Sequence, residues 1–208
     1  MQTNRTYIEG EAVDTPEILT ERLVLRRFTM EDSDAFLCIM RDKEVNTYLP
    51  MFPLDTAAEA KAYLKEHYLS AYENQAGFRY AICLRSDHIP IGYVNVGDDE
   101  SCDFGYGLAK VHWHQGIVTE ACTAVIDQIK KSDIPYLTAT HDIQNPRSGH
   151  VMKKIGMTYR YTYEEQWQPK DILVTFRMYQ INLDGRRERT YRKYWDRYHV
   201  HYVEENIE

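Results

Sequence analysis

Three strand-like runs in close succession, separated by two short polar turns, constrain this chain more than any other feature of its sequence. Phe78 to Arg85 alternates Phe78, Tyr80, Ile82 and Leu84 with Arg79, Ala81, Cys83 and Arg85. Asp87-His88 turns the chain into Ile89–Val96, and Gly97-Asp98-Asp99-Glu100 turns it into a third run from Asp103 to Ala109. Connections this short join neighbouring antiparallel strands, because a parallel crossover needs a dozen residues or more. An antiparallel meander therefore forms the middle of the domain.

Helical and extended segments flank it. Arg22–Phe28 is β-rich, and Thr29-Met-Glu-Asp32 has the form of a helix start, followed by Ala35, Phe36, Ile39 and Met40 at helical spacing. Thr56-Ala-Ala-Glu59 is a capping box that opens a helix to about Asn74. After Gly116, residues Val118, Ala121, Cys122, Val125 and Ile129 form one apolar stripe on a helix from Ile117 to Lys131. Tyr136–Thr140 reads as a strand, Asn145-Pro146 starts a short helix that stops at Gly156, and strands follow at about Thr158–Trp167 and Ile172–Asn182. The order predicts an α/β fold: a mixed, mostly antiparallel sheet of about seven strands with helices on both faces.

The chain has 208 residues, net charge −7 and no apolar run that would span a bilayer. Met1 to Thr15 is polar and lacks a signal-peptide core, so a cytoplasmic protein is expected. Cys38, Cys83, Cys102 and Cys122 form no C-x-x-C pair and are expected to be reduced structural thiols. The acidic balance argues against nucleic-acid binding and suits a cationic partner. Residues 186–202 differ: six Arg/Lys face Glu188 and Asp196, a local charge of +4. There Tyr191, Trp195, Tyr198 and Tyr202 fall on one helical stripe, which predicts a tail helix docking on its own domain or on a second subunit in a homodimer. His112-x-His114 and His199-x-His201 have no acid or cysteine at zinc-ligand spacing, so no metal site is expected.

The most informative segment for function is Trp113-His-Gln-Gly116-Ile-Val-Thr-Glu-Ala121, which follows a strand and opens a helix. A helix N-terminus presents unpaired N–H groups and about half a positive charge, which suits a phosphate. Taken with Thr20–Phe28, Ile91-Gly-Tyr93, Asp103-Phe-Gly-Tyr106 and Asn145-Pro-Arg-Ser148 running into Lys154-Ile-Gly-Met157, this segment resembles the GNAT acetyltransferase superfamily. Within it the chain is most similar to the branch that acetylates ribosomal-protein N-termini. The resemblance covers residues 18–183 and leaves 186–208 as an aromatic and basic tail.

The resemblance implies acetyl-CoA as cosubstrate and a primary amine as acceptor, with no membrane partner. It implies that backbone near Leu108 and Ala109 bonds the pantetheine arm, and that N–H groups of His114, Gln115, Gly116, Val118 and Thr119 hold the pyrophosphate. Asn145 and Ser148 would lie near the arm and the reacting sulfur. As plain helix grammar, Asn145 is also a cap and Ser148 a first-turn residue. Two positions depart from the family pattern. Val118 stands where Gly or Ala is usual, and Met152 replaces a tyrosine that protonates the departing thiolate. A GNAT-fold acyl-CoA-binding module without turnover is the competing reading.

The acceptor must lose a proton to attack. A lysine-type amine is only about 0.04% neutral at pH 7, and an α-amino group about 14%. Asp103, Glu100 and His114 are the candidates to take that proton.

Overall fold

The structure, a computed structural model, describes residues 15–205 and 207. The N-terminal segment read above for a signal peptide lies, except for Thr15, outside the described residues. The meander forms as expected. Strands β1 (Ile18–Leu19), β2 (Leu23–Arg26), β3 (Phe78–Leu84), β4 (Pro90–Val96) and β5 (Phe104–Leu108) make an antiparallel sheet in chain order. The remaining strands are β6 (Tyr136–Asp142), β7 (Thr158–Trp167), β8 (Ile172–Asn182) and β9 (His201–Tyr202). They make a second antiparallel sheet in the order β6-β8-β7-β9. All seven expected strands are present; β1 and β9, two residues each, are too short to show a period.

The two sheets join at a single parallel bridge, Asp103 to Thr138. The Thr138 hydroxyl reinforces it by donating to the Ser101 carbonyl at 2.8 Å. Beyond this point β5 and β6 are not paired, so one sheet expected from the sequence is two sheets hinged at one end and open at the other.

A 3-10 turn (Met30–Asp32) leads into α1 (Ser33–Met40), and a one-turn helix α2 (Lys43–Asn46) follows. The helix opened by Thr56 runs as α3 (Ala57–Leu64), a π turn (Lys65–Leu69) and α4 (Ser70–Glu73), so its expected span is right but its middle is underwound. Helices α5 (Ile117–Ile129) and α6 (Pro146–Lys154) complete the domain.

Strand alternation sends Leu23, Leu25, Tyr80, Ile82, Val94 and Phe104 toward α5 and α6. Val24, Ala81, Cys83 and Tyr93 face α1 and α3 on the other side. All four cysteines are free; Cys38 is exposed and the other three are buried. No helix of the described residues is long and apolar enough to cross a membrane.

The tail departs from its expected form. Among residues 186–202 only Lys193–Arg197 is helical (α7), and Tyr198 is already extended. Two features outcompete a longer helix, which would be marginal by itself. The buried Gln180 side chain accepts from Tyr191 N–H at 2.8 Å and donates to the Arg189 carbonyl at 3.0 Å. β9 then pairs with the edge of β7 through Tyr163–His201 and Thr162–Tyr202.

Candidate active site

The open end of the β5–β6 gap is where the sequence candidates collect. On β5, the bonds Gly97 N–H to Asp103 O (2.8 Å) and Ala109 N–H to Ile91 O (2.8 Å) fix the parity. Backbone groups of odd-numbered residues turn to β4, and those of Tyr106 and Leu108 turn into the gap. Leu108 thus presents its N–H there, while its carbonyl accepts from the Trp113 indole at 2.8 Å. Ala109 has both backbone groups engaged, its N–H with Ile91 and its carbonyl with His112 N–H at 3.0 Å. Tyr106, not among the residues singled out from sequence, offers more backbone to the gap than Ala109 does.

The turn from His114 to Thr119 closes the outer end of the gap. Gly116 caps α5 with φ 74°, and the first bond of the helix runs from Glu120 N–H to Gly116 O at 3.0 Å. The N–H groups of His114, Gln115, Gly116, Val118 and Thr119 precede that bond and are not consumed by the helix. A Cβ at Gly116 would meet nothing nearer than the Arg22 guanidinium, at 3.7 Å. The glycine is thus required by its left-handed backbone rather than by lack of room.

Arg22 holds the turn in place by donating to the Gln115 carbonyl (2.9 Å) and to Glu120 (2.7 Å). Partial burial would raise the Glu120 acid, but the Thr20 hydroxyl at 2.6 Å and Arg22 outweigh it and hold the carboxyl below its usual range. Trp113 links the same turn to α6, with the Arg147 guanidinium 5.5 Å above its ring. Val118 is half-buried against the core, so its bulk is accommodated inside. From Gly116 a shallow groove follows Thr119 and Thr123 to Lys154, a cation at its edge.

Across the gap stands the start of α6. It sits close against β6 because Gly149 has no Cβ, which would fall 2.6 Å from His141 Nε2. Asn145 is the N-cap by position, yet its side chain makes no capping bond. Its amide is therefore not spent on the helix start. The Ser148 hydroxyl lies 2.9 Å from the Tyr106 hydroxyl, which also meets the Ser148 carbonyl at 2.8 Å. Burial, Cys122 and Asp103 push the Tyr106 phenol well up, against the Ser148 bond, so it stays protonated. Met152 is buried in the core and brings no polar group to the gap.

Asp103 is on the other face of β5, three residues and so roughly 10 Å of strand from Tyr106. The structure therefore does not group it with Ser148. It lines a cavity of about 350 Å³ with Met40, Met51, Tyr63, His67 and Tyr93. Gly105 faces this cavity too, and a Cβ there would meet nothing within 4 Å. Burial, aided by the neighbouring Asp99 and opposed by Arg79, pushes the Asp103 carboxyl up to about 6. Asp103 is nonetheless exposed at the cavity mouth, so water moderates the push. Of the other two base candidates, Glu100 is ion-paired to Lys193, and His114 is exposed at the turn, outside the cavity lining.

The segment joining α1 to α3 reaches over the gap. The Lys170 ammonium, in the β7–β8 turn, donates to the Asn46 carbonyl at 2.8 Å, and the Tyr48 hydroxyl donates to the Gln144 carbonyl at 3.0 Å.

Residues 22–158 match the family model described as the acetyltransferase (GNAT) domain. The chain is 31% identical over 114 residues to an uncharacterized N-acetyltransferase, p20, of Bacillus licheniformis. That match spans 53% of this chain and 64% of the relative, a little under two thirds of its length. A GNAT-family acetyltransferase from Bacillus anthracis superposes with a TM-score of 0.71 at 19% identity, covering 81% of this chain and 99% of that one. RimL, a ribosomal L7/L12 α-N-protein acetyltransferase solved with coenzyme A, gives a TM-score of 0.72 at 16% identity, covering 81% and 99%.

Proposed function

The chain belongs to the GNAT family of acetyl-CoA-dependent acetyltransferases, and from that premise we propose that it acetylates a small cationic primary amine. One observation carries this reading. The gap between β5 and β6 has a turn of unpaired N–H groups at its outer end and an acid-bearing cavity of about 350 Å³ on its far side. A cavity of that size suits a small ligand. The faces of Tyr63, Tyr68 and Tyr93 and the carboxyl of Asp103 favour a cation there, against the one arginine of the lining, Arg79.

Acetyl-CoA supplies the acetyl group as a thioester, activated for attack by an amine. The N–H groups of His114 to Thr119 hold its pyrophosphate. The backbone of Tyr106 and Leu108 bonds the pantetheine arm as an edge strand bonds an added one, and an N–H of this pair faces the developing oxyanion. Asp103 receives the ammonium in the cavity and takes its proton. The neutral amine nitrogen bonds to the acyl carbon, and the nitrogen then gives its second proton to water as the C–S bond breaks. The thiolate takes a proton from the Ser148 hydroxyl, which is refilled through Tyr106 from solvent so that both hydroxyls end protonated. Asn145 positions the arm. Release of CoA thiol that depends on added amine tests this reading.

A further inference from the structure

The sheet side of the cavity of about 350 Å³ holds two opposite charges. Arg79 on β3 pairs with Asn95 on β4, and Asn95 pairs with Gly105 on β5. Cross-strand partners share a face, and all three residues line the cavity. Asp103 lies two residues before Gly105 and so on the same face. One carboxylate and one guanidinium therefore meet the same space, from the two strands that flank β4.

The two charges do not neutralise each other. Arg79 Nη1 donates to the Phe78 carbonyl at 3.3 Å and to the Val96 carbonyl, which anchors the guanidinium on the β3 side of β4. Asp103 stands across β4, bonded through its carbonyl to Gly97 N–H at 2.8 Å, so a strand spacing of roughly 5 Å or more separates the two. Among the described residues they form no ion pair, and Nε and Nη2 of Arg79 have no partner. Asn95 lies between them. Its amide nitrogen donates to the Tyr68 hydroxyl at 3.1 Å, while its Oδ1 is buried and accepts from nothing. A buried acceptor without a donor is costly, and a ligand N–H would satisfy it. Opposite this polar row the lining is apolar: Met40, Leu49, Pro50 and Met51, from α1 and the segment after it.

We propose that the acceptor is an α-amino acid with an apolar side chain, and that Arg79 selects it by taking its carboxylate while Asp103 and Asn95 take its ammonium. The proposal rests on the amine-acetyltransferase reading above and narrows it: the ammonium is the cation of that reading. The apolar wall receives the side chain. A plain alkylamine would fill the acid end and leave the two free guanidinium nitrogens without an anion, whereas a carboxylate pairs with them through charge-assisted bonds.

The test compares each amino acid with its decarboxylated amine: leucine with isoamylamine, and phenylalanine with phenethylamine. The full chain is assayed for kcat/KM at equal concentrations of neutral amine, alongside the KM for acetyl-CoA and the melting temperature. Wild type should prefer the acid of each pair by roughly tenfold or more, the scale on which a built polar contact discriminates. Arg79→Met should cut that preference by about tenfold or more, Arg79→Lys should keep part of it, and the acetyl-CoA KM should stay put in both. Arg79 also bonds two strand carbonyls, so leucinamide gives a reading on the wild type itself: it lacks only the carboxylate charge and should be used at least about tenfold less well than leucine. Equal use of acid, amide and amine by wild type overturns the proposal and leaves the acetyltransferase reading standing. A preference that survives whole in folded Arg79→Met does the same. A wild type that releases no CoA with either member of either pair, nor with butylamine or spermidine, overturns both.

Discussion

The hydroxyl of Tyr106 on β5 lies 2.9 Å from the hydroxyl of Ser148 on α6, so two protonated oxygens meet across the gap that separates the sheets. Met152, where the family pattern has a proton-donating tyrosine, is buried in the core. In the proposed mechanism the Tyr106–Ser148 pair is the donor that the gap offers instead. Ser148→Ala should lower kcat by about a hundredfold and Tyr106→Phe by roughly tenfold, with acetyl-CoA affinity nearly unchanged. Stopped-flow and steady-state thiol release check this. Because Asn145 makes no capping bond, Asn145→Ala should lower kcat without the stability loss of about 1 kcal/mol that a used cap would cost.

Binding of acetyl-CoA should stabilise the fold by about 2.7 kcal/mol at a hundredfold excess over its Kd, read as a rise in melting temperature. Gly116→Ala should weaken that binding, because φ 74° is unfavourable for an L side chain and the turn must relax. Arg22→Ala should weaken it too, by releasing the Gln115 carbonyl and Glu120 that fix the turn. A full shift in both variants would place the phosphates elsewhere.

With Asp103 as the proposed base, its carboxyl should set the acid limb of the pH profile. Its carboxyl is raised from 3.8 to about 6, so kcat/KM should climb as pH rises through about 6 and then level off until the amine deprotonates in solution. In Asp103→Asn the plateau should vanish, and the rate should track free neutral amine from low pH upward. The sign for stability is opposite. A raised acid costs folded-state stability as pH rises from its ordinary value through about 6, so Asp103→Asn should melt no lower than wild type at pH 7.

Gly105 faces the cavity with nothing within 4 Å of where a Cβ would sit. Gly105→Val should therefore fill acceptor space without a clash, and valine suits a strand better than glycine. The expected result is a raised amine KM, an unchanged Kd for acetyl-CoA and an unchanged or higher melting temperature.

Alternation and capping made most of this fold legible. Phe78–Arg85 and Thr56–Glu59 announced β3 and α3 through local chemistry that tertiary packing did not override. The turn at Gly116 was legible because a glycine between strand and helix has a specific backbone use, and Gly116 caps α5 in the left-handed conformation. The gap was not, because the parting of β5 and β6 rests on one bridge, Asp103–Thr138, between residues far apart in the chain. Tyr106 was visible only as part of a motif; its partner Ser148 is 42 positions away. The tail misled because Tyr191, Trp195 and Tyr198 have helical spacing, while the bonds that hold them, from Gln180 and from the β7 edge, are long-range.

Thiol release from acetyl-CoA by the wild-type protein, with and without a panel of small primary amines, decides whether this chain acetylates amines. Release should depend on amine, saturate with it, and yield an amine heavier by one acetyl group. Protein that binds acetyl-CoA yet releases no thiol with any amine, or releases it equally without one, would contradict it.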